Sequence, residues 1–152
     1  MDQSEIEDIV RRVVVQLKSD NQPSGSEYGV FESLDDAVAA ARNSQKQIRS
    51  LAVRDNIVTE IRRMAKKHAQ ELSELAVQET GFGRVEDKIR KHLLVASRTP
   101  GTEILTPQAV SGDSGLSLIE NAPWGVIASV TPSTNPSCTV INNAISMIAA
   151  GN

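Results

Sequence analysis

Apolar positions recur at three- and four-residue spacing through most of this chain, and the places where that rhythm stops divide it into elements. Over residues 3–18, Ile6, Ile9, Val10, Val13, Val14 and Leu17 form one continuous stripe, which predicts an amphipathic helix. Ser4 suits its N-cap, Glu5, Glu7 and Asp8 its positive first turn, and Lys18 its end. Isolated helices of about 15 residues are marginal in water. Burying an aliphatic side chain gains about 1.5–3 kcal/mol, so this helix calls for a partner surface. Residues 19–29 have Pro23, Gly25 and Gly29 and no apolar rhythm, which predicts a flexible linker. Two readings fit: a docking helix on a tether, or an N-terminal helix folded back on its own domain.

The body begins at Val30 and Phe31. Ser33-Leu34-Asp35-Asp36 resembles a capping box with Asp in place of Glu, and a helix is expected over residues 34–48 with Ala37, Val38 and Ala41 inside. A second helical tract starts near Leu51. Val53, Ile57, Ile61, Met64 and Ala65 are expected to face in, and Arg54, Glu60, Arg62, Arg63, Lys66 and Lys67 out. It either continues or bends through His68 into residues 72–79, where Leu72, Leu75 and Ala76 extend the stripe. Thr80-Gly81-Phe82-Gly83 stops it. A further helix is predicted over residues 84–97, with Val85, Ile89, Leu93, Leu94 and Ala96 apolar, ending at Pro100-Gly101. Two short strands follow, residues 103–106 and 116–120, around a Ser111-Gly112-Asp113-Ser114-Gly115 turn that suits a hairpin or extended arm.

In residues 120–152 the pattern changes. After the turn pair Pro123 and Gly125, Val126-Ile127-Ala128-Ser129-Val130 has the composition of a buried strand. Thr131-Pro132-Ser133-Thr134-Asn135-Pro136 is a polar loop whose prolines forbid regular pairing. From Ser137, Val140, Ile141, Ala144, Ile145, Ile148 and Ala149 return to helical spacing, with Gly151 as the residue past the helix end. Strand, loop and helix make half of a βαβ unit, so the fold class is α/β. In such sheets ligands bind at the carboxyl ends of strands, where helix N-termini offer free N–H groups to anions. The parallel strand that should follow is missing, so the chain is expected to be the front piece of a longer one.

Composition narrows the function classes. The 39% apolar and 23% charged content suits a globular protein, and with aromatics at 3% the core must rest on aliphatics. A net charge of −3 with no basic patch argues against nucleic acid. No apolar run approaches the ~18 residues of a membrane span. The acidic N-terminus lacks the basic start of a secretory signal. One cysteine, Cys138, excludes an internal disulfide and permits a cytosolic setting. No metal-ligand cluster is visible, and His68 and His92 suit the surface or its boundary better than a metal.

Cys138 near a predicted helix start has the position of an activated thiol, but no histidine is near it in sequence, and a small core residue is the better reading. Asn135 and Thr134 are better placed: an amide can donate to an oxyanion, and a hydroxyl can orient a ribose or phosphate. Taken alone, the same residues also suit a turn and a helix cap. Gly81-Phe82-Gly83 is no dinucleotide fingerprint, since it follows a helix and lacks the third glycine.

Together, Glu79-Thr80-Gly81, Pro123-Trp124-Gly125-Val126, Thr131-Pro132-Ser133-Thr134-Asn135-Pro136 and Ala149-Ala150-Gly151-Asn152 resemble the aldehyde dehydrogenase superfamily in order and spacing. The TPSTNP loop followed by VINNAIS resembles its coenzyme A-acylating branch. Residues 29–31, 33–41 and 84–88 resemble the microcompartment members of that branch, above all the acetaldehyde enzymes of ethanolamine utilisation, with the propionaldehyde enzymes of propanediol utilisation as near relatives. The resemblance implies a Rossmann-like NAD-binding domain, of which residues 30–152 are the N-terminal part. It implies an encapsulation peptide at residues 1–18 that docks on a shell protein through Ile6, Ile9, Val10, Val13, Val14 and Leu17, with residues 19–29 as tether. It therefore favours docking over fold-back, and a place in the microcompartment lumen.

The implied reaction has a cysteine thiolate attack the aldehyde, hydride pass to NAD, and coenzyme A take the acyl group from the resulting thioester. Thr131, Pro132, Ser133, Thr134 and Asn135 match the cofactor loop, with Thr134 or Asn135 as oxyanion donor. The nucleophilic cysteine lies beyond Asn152 in that family, and Cys138 does not match it, so this chain alone is expected to be inactive. The complete form is expected to be a homo-oligomer. The rival from another class is a non-catalytic shell-docking adaptor.

Overall fold

The computed structural model describes residues 29–152. The predicted helix at residues 3–18 and most of the linker lie outside them. The chain divides into two compact units at Ser44. The described part of the first is mainly helix α1, Leu34–Gln45. Ser33 is its cap as expected, its Oγ accepting from Asp36 N at 3.5 Å, with Asp35 and Asp36 in the positive first turn. The helix ends at Gln45 rather than Ile48, and none of its residues is fully buried, so the expected inner face is not a buried stripe.

The second unit packs four helices: α2, Leu51–Lys67; α3, Ala69–Thr80; α4, Val85–Arg98; and α5, Pro136–Ala149. The break between α2 and α3 falls at His68, whose backbone leaves the helical region at φ −100° and ψ 11°. The α3 helix ends at Gly81 in the left-handed conformation, φ 69°, which glycine adopts without a Cβ clash. The core lies between α2 and α5, where Val58, Ile145 and Ala149 are buried and Ile61, Ile141 and Ile148 pack on them.

Helical period was legible, but the phase of the buried face was not. The inner face of α2 runs through Arg54, Ile57, Val58, Ile61, Arg62 and Ala65, while Val53 and Met64 are exposed. Arg54 and Arg62, expected outside, turn inward because helix ends nearby need donors. Arg54 Nη1 donates to Ala149 O at 2.8 Å, and Arg62 Nη2 to Thr99 O at 2.8 Å. In α3 it is Ser73 that is buried, not Leu75. In α4 Leu93 and Leu94 are exposed and His92 is buried, against the expected face.

The hairpin is present. Strands β1, Gln108–Gly112, and β2, Gly115–Ile119, pair antiparallel with Gly112 opposite Gly115 across Asp113-Ser114. The first strand was expected at residues 103–106. Those residues instead begin in a 3₁₀ turn, Thr102–Ile104, steadied by the Glu103 carboxylate accepting from Gly101 N at 3.0 Å and from Arg62 at 2.8 Å. Every residue of both strands is exposed.

Residues 126–130 are not a buried strand. They are joined to no ladder among the described residues, and Val130 is 94% exposed. A strand of a parallel sheet is held by neighbours on both sides. Here β1 and β2 pair only with each other, so nothing accepts this segment into a ladder.

Candidate functional site

The polar loop sits between that extended segment and α5. Asn135 N donates to Pro132 O at 3.2 Å, closing a turn over Pro132-Ser133-Thr134-Asn135. Pro136 then occupies the first helical position, where its missing N–H costs nothing. Asn135 is the N-cap residue, with φ −143° and ψ 60°, yet its side chain does not cap the helix. Its Oδ1 instead accepts from Lys91 Nζ at 2.5 Å. Thr134 lies one position before the cap, and its carbonyl oxygen accepts from Lys88 Nζ at 3.2 Å.

Helix α4 supplies the wall behind the loop. Lys88, Lys91 and His92 fall on one side of it at three- and four-residue spacing. His92 is 1% exposed, a correction to its expected surface position. Its Nδ1 stands 2.8 Å from Lys88 O and 3.0 Å from Ser73 Oγ, and its Nε2 stands 2.7 Å from Ser137 Oγ. The Lys88 carbonyl only accepts, so Nδ1 carries a hydrogen, while the Ser137 hydroxyl can pair with Nε2 as donor or acceptor. Ser73 gives its own hydrogen to Ala69 O at 2.6 Å. The imidazole is thus satisfied on both sides and binds α3 and α4 to the first turn of α5. His68, by contrast, meets Glu71 at the surface, 2.8 Å away.

The loop is an open rim. Thr131, Pro132, Ser133 and Thr134 are exposed and Asn135 is partly so. A cleft of about 220 Å³ is lined by Phe82, Arg84, Asp87, Lys88, Lys91, Thr134 and Asn135, three cations and one carboxylate among them. Arg84 is paired with Asp87, while Lys88 and Lys91 have no carboxylate partner among the described ion pairs. The rim is therefore electropositive, with hydroxyls, a side-chain amide and a helix N-terminus facing it.

Cys138 is buried, and burial pushes its thiol up, with Lys91 and Lys88 pulling weakly the other way. A thiol so placed suits packing rather than attack. Among the described residues no three His, Cys, Asp or Glu side chains come together as a metal site. No described helix is long and apolar enough to cross a membrane.

Two segments quoted for the family resemblance meet in space. Asn152 Oδ1 accepts from the backbone N–H groups of Trp124, at 2.5 Å, and Gly125, at 3.0 Å. Trp124 is 94% exposed, and its backbone rather than its ring makes the contact. Lys88, Lys91, His92 and Ser137 were not singled out as site residues from sequence. The one available signal was that Lys88 and His92 share the stripe of Val85 and Ile89.

The open Ser/Thr/Asn loop at the start of α5 fits the α/β dehydrogenase class that the sequence resemblance implied. The sequence profile of the aldehyde dehydrogenase family matches residues 26–152, and the chain belongs to that family. Over its whole length it is 58% identical to the acetaldehyde dehydrogenase (acetylating) EutE of Salmonella typhimurium, of which it covers 33%. Its structure is similar, with TM-score 0.79 and 48% identity, to a propionaldehyde dehydrogenase from the Clostridium phytofermentans fucose utilisation bacterial microcompartment; the match covers 83% of this chain and 29% of that one. An engineered glycolyl-CoA reductase with bound NADP⁺ matches at TM-score 0.77 and 45% identity, over 82% of this chain and 29% of that one. The expected α/β class and aldehyde dehydrogenase architecture stand. The chain spans about a third of the length of the curated relatives it matches.

Proposed function

We infer that this chain is the N-terminal segment of a CoA-acylating aldehyde dehydrogenase that oxidises acetaldehyde to acetyl-CoA with NAD. The observation that carries this is the open, cation-backed loop of residues 131–135 at the start of α5, in a chain of this family. NAD accepts the hydride when bound. The residues present fit it: the hydroxyls of Thr131, Ser133 and Thr134 suit a ribose or phosphate, and the first turn of α5 suits an anion. Asn135 or Thr134 donates to the oxyanion that forms on the aldehyde carbonyl, and the nucleophilic thiol comes from outside this chain. The 58% identity to the acetylating relative, which holds over the whole of this chain, favours acetaldehyde.

Residues 1–18 serve as a docking helix for a microcompartment shell protein, residues 19–29 as tether, and residues 30–152 as part of the NAD-binding domain. The microcompartment origin of the propionaldehyde relative supports this reading, in which the complete enzyme works in the lumen as a homo-oligomer. In the complete enzyme, Asn135→Ala or Thr134→Ala should slow NAD- and CoA-dependent acetaldehyde oxidation by about 10²-fold, the usual cost of one lost oxyanion donor. Wild-type rates in both variants would remove the loop from the chemistry.

A further inference from the structure

We propose that Lys91 is a positioning residue that decides which end of the Asn135 amide faces the open rim. An ammonium group has only donors, so of the two ends of the amide it can pair only with the carbonyl oxygen. The 2.5 Å contact from Lys91 Nζ to Asn135 Oδ1 therefore settles which end of the amide Lys91 engages and leaves Nδ2, the donor end, out of that contact. Among the described residues Nδ2 has no partner.

An independent observation agrees. Asn at an N-cap normally spends its oxygen on the N–H groups of the first helical turn. Asn135 makes no such bond. The capping bond is given up. In return the amide is held in one orientation with its N–H groups unspent. Lys88 meets the preceding carbonyl at Thr134 and His92 meets Ser137 two residues on, so all three contacts to this turn come from the same helix. Lys91 has no carboxylate partner among the described ion pairs, so its full charge polarises the amide and strengthens the remaining donors. Lys91 does not itself need to touch substrate.

This inference rests on the proposed role of Asn135, and a double-mutant cycle in the complete enzyme separates the two. Asn135→Ala should lower kcat by about 10²-fold. Lys91→Met should lower it by about tenfold with the KM for NAD unchanged, and Lys91→Arg should stay within about threefold of wild type. The double variant Lys91→Met/Asn135→Ala should be no slower than Asn135→Ala alone, within about twofold, because Lys91 acts through the amide. Wild-type kcat in Asn135→Ala would overturn the role of Asn135 itself. A slow Asn135→Ala beside an unaffected Lys91→Met, or losses that multiply in the double variant, would overturn the role of Lys91 alone. Where Lys91→Met also lowers the thermal midpoint, Lys91→Gln, which still donates to Oδ1, takes its place in the cycle. A smaller loss that vanishes in the Asn135→Ala background supports the inference, and a multiplying one overturns it.

Discussion

Arg54 Nη1 donates to the Ala149 carbonyl at 2.8 Å, so a cation from α2 sits on the negative end of α5. The helix closes there in a Schellman arrangement, with Asn152 N donating to Met147 O and Gly151 N to Ile148 O, each at 2.9 Å. Gln45 Nε2 reaches Gly151 O at 2.9 Å. Gly151 holds φ 86°, and a Cβ there would stand 3.0 Å from Arg54 Nη1. Gly151→Ala should therefore cost about 1–2 kcal/mol from the left-handed backbone alone. A urea transition of the variant unmoved from wild type would show that this helix end does not hold the fold.

Cys138 should resist alkylation. Its thiol is buried and raised, so at about pH 8 the native protein should react far more slowly than the protein in about 6 M guanidinium. Cys138→Ala should leave the activity of the complete enzyme within about twofold, since Cys packs like a small apolar residue. Stoichiometric labelling of the native chain within seconds would mean that the thiol is accessible and the packing around it misread.

Glu103 carries a pH signature. The Arg62 guanidinium first, then backbone N–H groups including that of Gly101, hold its carboxyl at about 2 against an ordinary 4.5. A depressed carboxylate favours the folded state above its unfolded value and loses that contribution as pH falls toward the folded one. The window is thus between 4.5 and about 2. The side chain is 54% exposed, so solvent screening keeps the effect small. Glu103→Gln should lose less stability than wild type between about pH 6 and about pH 3 in urea titrations. Parallel profiles for the two proteins would count against the pair.

The proposed docking helix is tested by cargo loading. Ile9 lies mid-stripe, and each buried aliphatic is worth about 1.5–3 kcal/mol, so Ile9→Glu should cut co-purification with shell protein at least about tenfold. Unchanged recovery would return residues 1–18 to a role within the enzyme's own domain.

The sequence was most informative where chemistry is local. The Ser33 cap, the stop at Gly81, a hairpin turn within residues 111–115 and the end at Gly151 all depend on backbone rules within a few residues, and all are present. The open polar loop, too, was legible from its prolines and hydroxyls. The faces were not. Hydrophobic spacing gives the period of a helix, but which apolar side chains are covered depends on where its neighbours lie. Hence Leu75, Leu93 and Leu94 stand exposed while Ser73 and His92 are buried, each polar group satisfied by a partner on another element. The segment at residues 126–130 failed for a related reason, since strand pairing is supplied from elsewhere and not by the strand.

The helices with their caps and stops, and membership of the family through its loop and turn signatures, were thus determined by the chain's own residues acting on near neighbours. The assembly of the site was decided only by tertiary structure. Lys88 and Lys91 meet Thr134 and Asn135 across 46 and 44 positions of chain, and only the packing of α4 beside α5 brings them together.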